Sequence, residues 1–578
     1  MNILLLDPNY ESKFPPLGLM KMAYYHKEYR GDFVWLAKGN APQEVSETVR
    51  HKLEQSKYYA AWYNIGDFVS MANDVMQNQK WDRVYVTTLF TYEWNKTIAA
   101  IEYAKTLVDN ISQVYVGGIL TTLMPNELEA ATGIKPMTGL LTDSSVLGFE
   151  DNVNIDLLTP DYSILDLLEY YYPESEHYLV RATRGCGMKC SFCAVQTLEP
   201  DCIDYLPLKD LVREIDEKYG ARRNLLLMDN NILKSAHYFQ IMRDIEELGY
   251  GRGAVKTNPK TGKQIQVFVD FNQGLDMNFI TEPKMAAMAR LAVRPVRIAF
   301  DHISDRERYI KAMELADQYN VGRLSNYMLY STTEFKGKGK AKAADTPKDL
   351  YDRLALNVAL QEQFNVRRRR EGISQVVIFS FPMKFIPLGN RDRAFVGTNW
   401  NPKMIRTFQR MTNHTGGAIH STRKGFEQVF GKTYDEFHAL LQAPALYLEK
   451  RIKHSNKTWR NLWSEWQDLY QSLAEQERSS FEELIACNEF TAETYMTVES
   501  PTLRKLYAHY LHGTKFLEFV EAVATKNLEL YYELQDYIAC ECPEILFINM
   551  ELLHGLKGAG RYHYDLITLL FTDMRLAA

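Results

Sequence analysis

The sequence predicts an α/β protein in three parts: a doubly wound parallel domain over residues 1–150, a partial six-fold β/α barrel over 175–395, and an all-helical C-terminal domain over 396–578, with a linker at 151–174. Three observations predict it. Strand-like and helix-like runs alternate through the first 150 residues. A longer alternation with six strand candidates fills about 200 residues from Tyr178, and strand signals stop near residue 400. Strands alternating with helices imply parallel β-α-β units, because parallel neighbours need a crossover between them. At roughly 100–200 residues per domain, 578 residues allow two to four domains.

In the first part, Ile3–Asp7 is a short apolar run ending at Pro8-Asn9, and Leu19–Tyr25 is apolar with helical spacing after Pro15-Pro16-Leu17-Gly18. Arg83–Thr87 is a second buried strand, Thr97–Val108 is helical, and Val114–Gly118 is a third strand ending in paired glycines. Glycines at the carboxyl end of a parallel strand mark either a ligand's close approach or a tight strand-to-helix turn, and the pattern alone leaves both open.

In the second part the strand candidates are Tyr178–Thr183, Asn224–Asp229, Gln266–Asn272, Val296–Asp301, Ser325–Tyr330 and Gln375–Phe381. Between them lie helices over Leu208–Tyr219, Ala236–Leu248, Glu282–Leu291, Ser304–Tyr319 and Pro347–Phe364; Thr346-Pro347 supplies a cap followed by proline at the first helical position. This suits a partial or full parallel barrel as well as an open sheet, and only the motif at the first strand favours the barrel. The third part carries helical periodicity over Phe437–Lys453, Lys457–Arg478 and Thr502–Ala539.

Composition excludes several classes. With 67 basic against 73 acidic residues the net charge is −6, which argues against coating nucleic acid by bulk electrostatics. No run approaches the roughly 18 apolar residues of a membrane span. Met1–Asp7 has no basic leader and reads as a first strand, so the expected compartment is the reducing cytoplasm. Seven cysteines are too few for a disulfide framework, and there clustered cysteines indicate metal or redox chemistry.

Three of them cluster in Arg184-Gly185-Cys186-Gly187-Met188-Lys189-Cys190-Ser191-Phe192-Cys193, directly after a strand. Three thiolates on one side of a compact loop can ligate three corners of a cubane iron–sulfur cluster, leaving the fourth iron open. Zinc competes, although no histidine lies in the loop; His177 precedes the strand and the next is His237. Three buried cysteines without metal would follow neither core periodicity.

With this Cys-x3-Cys-x2-Cys spacing, its preceding strand, the aromatic Phe192 and the β/α pattern that follows, the chain over about 175–390 resembles the radical S-adenosylmethionine superfamily. The resemblance implies a TIM-like partial barrel and a [4Fe-4S] cluster on Cys186, Cys190 and Cys193. It also implies S-adenosylmethionine chelated to the free iron, reductive cleavage to a 5′-deoxyadenosyl radical, and hydrogen abstraction from a substrate. An external one-electron donor of flavodoxin or ferredoxin type would serve it. Cofactor-binding candidates at the strand ends are Phe192, Asp229-Asn230-Asn231, Asn272, Gln273, Asp301 and Ser380, although the family's glycine-glycine-glutamate is absent at the second strand. Each of these polar residues also suits a helix cap or turn. Asp301-His302 closes strand four, and Asn326 and Tyr330 lie on strand five.

A Rossmann-like domain before the radical domain resembles the cobalamin-binding radical methyltransferases, and Pro15–Leu19 and Val116–Gly118 match their phrases. Their Asp-x-His-x-x-Gly motif is missing; His26 and His51 stand outside any such context, which counts against cobalamin, though some cobalamin enzymes lack that ligand. Three functions follow: hydrogen abstraction from an unidentified substrate, cobalamin-dependent radical methylation, or a non-catalytic metal protein that binds nucleic acid. Lys336, Lys338, Lys340 and Lys342 and the run Arg367–Arg370 suit either solvated linkers or a phosphate-bearing or macromolecular substrate. Cys487, Cys540 and Cys542 read as buried structural thiols, Cys202 as a thiol without assigned role, and Trp459, Trp463 and Trp466 as core.

Overall fold

A computed structural model of the chain describes every residue except 79, 259–260, 336–340, 454–456 and 572–578. The N-terminal sheet contains β1 (Asn2–Asp7), β2 (Phe33–Lys38), β3 (Arg83–Thr88) and β4 (Val114–Gly118), all parallel in the order β2-β1-β3-β4. Ile3, Leu4, Leu5 and Leu6 are fully buried, as a central parallel strand covered on both faces requires. β2 was absent from the expected strands. Its signal is the run Phe33-Val34-Trp35-Leu36 bounded by Gly31 and Gly39, both in left-handed turns. Gly118 sits at φ 120°, where a Cβ would lie 2.4 Å from the Thr88 carbonyl oxygen. The glycine pair therefore serves a tight β3–β4 contact and turn.

The next strands are β5 (Tyr178–Val180), β6 (Leu225–Leu227), β7 (Val255–Thr257), β8 (Gln264–Gln266), β9 (Val269–Phe271), β10 (Val296–Ala299), β11 (Arg323–Tyr330) and β12 (Val377–Lys384). β7 and β8 form an unexpected antiparallel hairpin. The other six match the expected strands and run parallel in chain order, as sheets β5-β6-β9 and β10-β11-β12. Isolated parallel bridges Val269–Val293 and Leu275–Ile298 connect the two sets. Burial alternates along β11. On its outer face Asn326 donates to the Tyr309 hydroxyl (3.1 Å) and to Ser380 Oγ (3.2 Å), and Ser380 also accepts from Asn357 (3.1 Å). Tyr309 and Asn357 belong to the covering helices Arg306–Gln318 and Pro347–Arg370. Ser325, Tyr327 and Leu329 therefore face the other way, into the array.

The segment 151–174 is irregular but not a loose tether. Its turns bury Ile155, Asp161, Tyr162, Ile164 and Leu167. The ammonium of Lys27 is sealed there, 2.9 Å from Asp161 and 4.6 Å over the Tyr58 ring. Arg367–Arg370 is the last turn of the helix Pro347–Arg370 rather than a linker, and Arg367 and Arg368 both pair with Asp317. Lys342 pairs with Asp305 at 2.5 Å, while Lys336, Lys338 and Lys340 lie outside the described residues.

Among the described residues beyond 400 the regular elements are helices except for β13 (Ile419–His420), which adds antiparallel to β12, so the C-terminal part is not wholly helical. Trp459 and Trp466 are core, and Trp463 packs on it. Only Cys542 among the three late cysteines is buried; Cys487 and Cys540 are exposed. Among the described residues no helix is long and apolar enough to cross a membrane.

A buried polar hub joins the C-terminal helices. Lys403 donates to the Ala443 carbonyl and Thr407 Oγ1, each at 2.6 Å, capping carbonyls after the helix Tyr434–Gln442. Burial lowers its pKa to about 7. His509 lies between the hydroxyls of Tyr447 (2.9 Å) and Tyr537 (2.7 Å). Burial holds its pKa near 3 and that of His512 near 4. Both histidines are neutral in the folded chain, so below pH 6.5 the unfolded chain binds more protons and stability falls with pH. At pH 5 the loss amounts to about 2 kcal/mol for each histidine. Thermal unfolding followed from pH 7.5 to 4.5 should show the melting temperature of the C-terminal helices declining across this window, and a flat profile would refute the assignment.

Candidate active site

The cysteine loop begins where β5 ends. Gly185 and Gly187 take φ 70° and 63°, the left-handed region that favours glycine. A Cβ on Gly185 would lie 2.5 Å from the Asp201 carbonyl oxygen, and one on Gly187 would lie 3.1 Å from Lys234 Nζ. The loop is thus pressed between the segment that follows it and the turn after β6, where Lys234 donates to the Cys186 carbonyl at 3.0 Å.

Two carboxylates hold the loop's base. Glu199, after the short helix Val195–Leu198, accepts from the Gly185 amide (3.0 Å), Arg184 Nη1 (2.9 Å), Arg181 Nη1 (2.8 Å) and Asn230 Nδ2 (2.6 Å). Asp229 accepts from the amides of Ala182 (3.0 Å) and Thr183 (2.5 Å) and from Thr183 Oγ1 (2.7 Å). Burial raises the Asp229 pKa while these donors pull it back. Arg184 also grips Asp156, as does Lys21 of the helix Leu17–Tyr24, whose pKa burial lowers to about 8. The loop is in this way tied to the N-terminal domain.

Above this base the thiols share one neighbourhood. Burial, then Cys193 and Cys186, push the Cys190 thiol up to about 11, with Asp276 and Asp301 adding to the effect; burial also raises Cys193. Asn231 donates toward Cys186 Sγ (3.6 Å) and to Asp276 (3.2 Å), while its own Oδ1 is buried without a partner. Phe192 and Ser191 line a cavity of about 380 Å³ closed on the far side by Thr332, Thr333, Glu334, Phe335 and Phe385. Phe192 meets Phe335 edge to face at 5.5 Å, and Phe335 meets His302 at 6.0 Å. Asp301 accepts from the Leu329 amide at 3.2 Å, and burial raises its pKa to about 6.

Of the residues singled out from sequence, Cys186, Cys190, Cys193, Phe192, Asn231 and Asp301 converge on this neighbourhood. Asp229 and Asn230 spend their hydrogen bonds on the loop's base. Asn272 holds Tyr327 through its carbonyl (3.0 Å) and its side chain reaches Met228 Sδ (3.8 Å), while Gln273 is exposed. Ser380 is fully buried on the outer face of β12, away from the loop, as is Asn326 on β11. Sequence reasoning passed over Glu199, Arg184 and Asp156; Asp270, named only as part of the end of strand three, pairs inward with Arg297, which was passed over, by two bonds at 2.9 and 2.7 Å beside Tyr327 and Phe381.

Three thiols on one loop are the donor type an iron–sulfur cluster takes, but among the described residues no three His, Cys, Asp or Glu side chains are gathered closely enough to hold a metal ion. Burial, with the neighbouring thiols adding to it, raises the Cys190 and Cys193 thiols, a pressure that a bound cation relieves, and Asn231 Oδ1 is a buried polar atom without a partner. The carboxyl end of the N-terminal sheet does not supply a histidine to a corrinoid cobalt. There Asp7 is engaged by Lys38 (2.9 Å) and Tyr172 (2.5 Å), and Tyr10 is buried against Thr97 (2.7 Å). His26 is fixed toward the amino end between Asp32 (2.8 Å) and Tyr85 (3.1 Å).

No family model matches the chain, and no curated protein matches it. Among solved structures, the chain is similar to the radical S-adenosylmethionine methyltransferase TsrM from Kitasatospora setae, with tryptophan substrate and a cofactor analogue bound. The identity is 14%, with 62% of this chain and 71% of that one covered, at a TM-score of 0.40. It is also similar to the cobalamin-dependent S-adenosylmethionine radical enzyme OxsB with aqua-cobalamin and S-adenosylmethionine bound. There the identity is 10%, with 99% and 84% covered, at 0.41. At these scores the likeness carries nothing about this chain's chemistry.

Glu199→Gln removes the charge that balances Arg181 and Arg184 beneath the loop. Iron retention after reconstitution should fall about 10- to 100-fold with the far-ultraviolet circular dichroism preserved. Parental iron content in the folded variant would show that the carboxylate does not position the loop.

Proposed function

We propose that the chain is a radical S-adenosylmethionine enzyme whose six parallel strands form a partial TIM-like barrel around the cavity beside Phe192. The observation that carries this is the placement of Cys186, Cys190 and Cys193 on one glycine-shaped loop after a parallel strand, a loop whose Ser191 and Phe192 line that cavity. The carboxyl ends of strands are where parallel barrels place their chemistry. Cys186, Cys190 and Cys193 would hold a [4Fe-4S] cluster, which, when bound and reduced by an external one-electron donor, supplies the electron that cleaves S-adenosylmethionine to a 5′-deoxyadenosyl radical.

The chain's own residues perform the rest of the work. Gly185 and Gly187 let the loop turn without side chains in the way, and Glu199 and Asp229 fix its base. Asn231 Oδ1 offers an acceptor to a ligand amine, and Asp301, held by the Leu329 amide, offers a carboxylate to ligand hydroxyls. Phe192 and Phe335 form an apolar wall that limits water beside a reactive ligand. Arg297, Asp270, Tyr327 and Phe381 form the inner surface that would meet substrate, with Arg297 held planar by two bonds and flanked by two rings. Hydrogen abstraction from this substrate is favoured over cobalamin-dependent methylation, because the N-terminal crevice is filled by Tyr10 and by Asp7 with its partners.

Anaerobic reconstitution with iron and sulfide, reduction and addition of S-adenosylmethionine should yield 5′-deoxyadenosine from the parent chain. A Cys186→Ala, Cys190→Ala, Cys193→Ala variant should yield none above background. A chain that loads no cluster and retains zinc instead would overturn the proposal.

A further inference from the structure

The loop that closes the cavity beyond β12 also reaches the N-terminal domain, and it carries cations without carboxylate partners. Phe385 lines the cavity and packs on Phe395 at 5.5 Å, and the Gly397 amide returns to Ser331 Oγ at 2.8 Å. Residues 384–397 are thus a strap along the cavity's rim. From it Arg391 lies 4.0 Å over the Trp94 ring, and Arg393 lies 4.8 Å over Tyr92. Lys384 Nζ donates to the Arg393 carbonyl at 2.6 Å. Among the described residues no carboxylate stands within 4.0 Å of any of the three cations. The nearest acids are otherwise engaged: Glu93 pairs with Lys96 at 3.2 Å, and Asp392 accepts from the Ala394 amide at 2.8 Å. Burial first, and then the charge of Arg393, lower the Lys384 pKa, while Asp392 raises it.

The opposing surface presents the start of a helix. Tyr92 lies in the 3-10 turn Thr91–Glu93 that leads into the helix Trp94–Thr106 after β3, and a helix amino end carries positive partial charge. This end faces the carboxyl side of a doubly wound parallel sheet, where such sheets receive ligands. Here the crevice itself is filled by Tyr10, so an incoming group must sit above it, between helix and strap. Phe90, half exposed, stacks on Tyr92 at 5.1 Å with rings 13° apart, leaving an apolar face beside the cations.

We propose that Lys384, Arg391 and Arg393, with the amino end of the helix Trp94–Thr106, form a seat for a phosphate group carried by the substrate. The proposal rests on the cavity being the reaction chamber described above. Arginine suits the role because its planar fork offers paired donors to a phosphate while its face remains stacked on an aromatic ring. Phe385 is common to strap and cavity, so a substrate anchored at the seat would extend its remaining part toward Phe192. The N-terminal domain on this account contributes to substrate recognition rather than to a second cofactor.

The test is calorimetric titration of the full chain with inorganic pyrophosphate at low ionic strength, without cluster, reductant or S-adenosylmethionine. The parent should bind saturably, and an Arg391→Ala, Arg393→Ala pair should bind about tenfold more weakly or worse, having lost two charge-assisted contacts. An Arg391→Lys, Arg393→Lys pair should recover part of the affinity. Lys384→Met provides a second route should the alanine pair fail to fold, and it should weaken binding as well. Quenching of tryptophan fluorescence by pyrophosphate should disappear in Trp94→Phe. Equal affinity in parent and folded variants, or no binding by the parent, would overturn the seat. Because the titration needs no radical chemistry, pyrophosphate binding in a chain that cleaves no S-adenosylmethionine would remove the radical function and leave the seat standing.

Discussion

The architecture of the site depends on one buried carboxylate. Glu199 accepts from two arginines, a backbone amide and an asparagine. A buried guanidinium left without its anion is strongly unfavourable, so this group cannot be loosened piecemeal. The consequence is geometric. The Gly185 amide is fixed to Glu199, the strand end above it is fixed to Asp229, and the glycine-to-cysteine turn has little freedom between them. The loop that carries the three cysteines is in this way anchored by buried charges at its base.

The same network runs from the cysteine loop to the first helix after β1. Arg184 continues to Asp156, and Lys21 reaches Asp156 from the first helix of the N-terminal domain. Lys27 is sealed against Asp161 a little further on, and Lys218 bridges from the helix Leu208–Tyr219 to Glu28 at 2.7 Å. These contacts make residues 151–174 the mortar between two sheets. A lysine buried among tyrosine rings with one carboxylate tolerates little relative movement of the elements that supply its partners.

Much of this fold was legible in the sequence, for a physical reason. β5 and β6 are continuous apolar runs, β9 to β12 are mainly apolar runs broken by single polar residues or short polar pairs such as Asp270, Arg297, Asn326 and Ser380, and the cysteine spacing fits neither core period. What escaped needs knowledge of register or distance. Ser380 and Asn326 stand at plausible strand positions, but strand parity turns both to the outer helices, and a shift of one residue would have reversed them. Asp229 looked like a ligand group because it ends a strand; the loop amides already occupy it. Glu199 carries no motif and acts only because the chain folds back to place it beneath Gly185. β2 was passed over although glycines flank it, and the hairpin β7–β8 consists of exposed polar alternation that reads as loop. Arg367–Arg370 looked like free charge, yet two of its members are consumed by Asp317.

β13 contributes only two residues, but they occupy the outer edge of β12, and the contact is locked from the side. Gln361 accepts from the Ile378 amide at 2.7 Å and donates to the Ser421 carbonyl at 2.9 Å, so one side chain ties the edge strand to its cover. An uncovered edge offers unpaired amides and carbonyls to any other extended chain. During synthesis the central array emerges from the ribosome before its cover exists. The two residues of β13, once in place, occupy the backbone groups that β12 would otherwise present at Phe379 and Ser380.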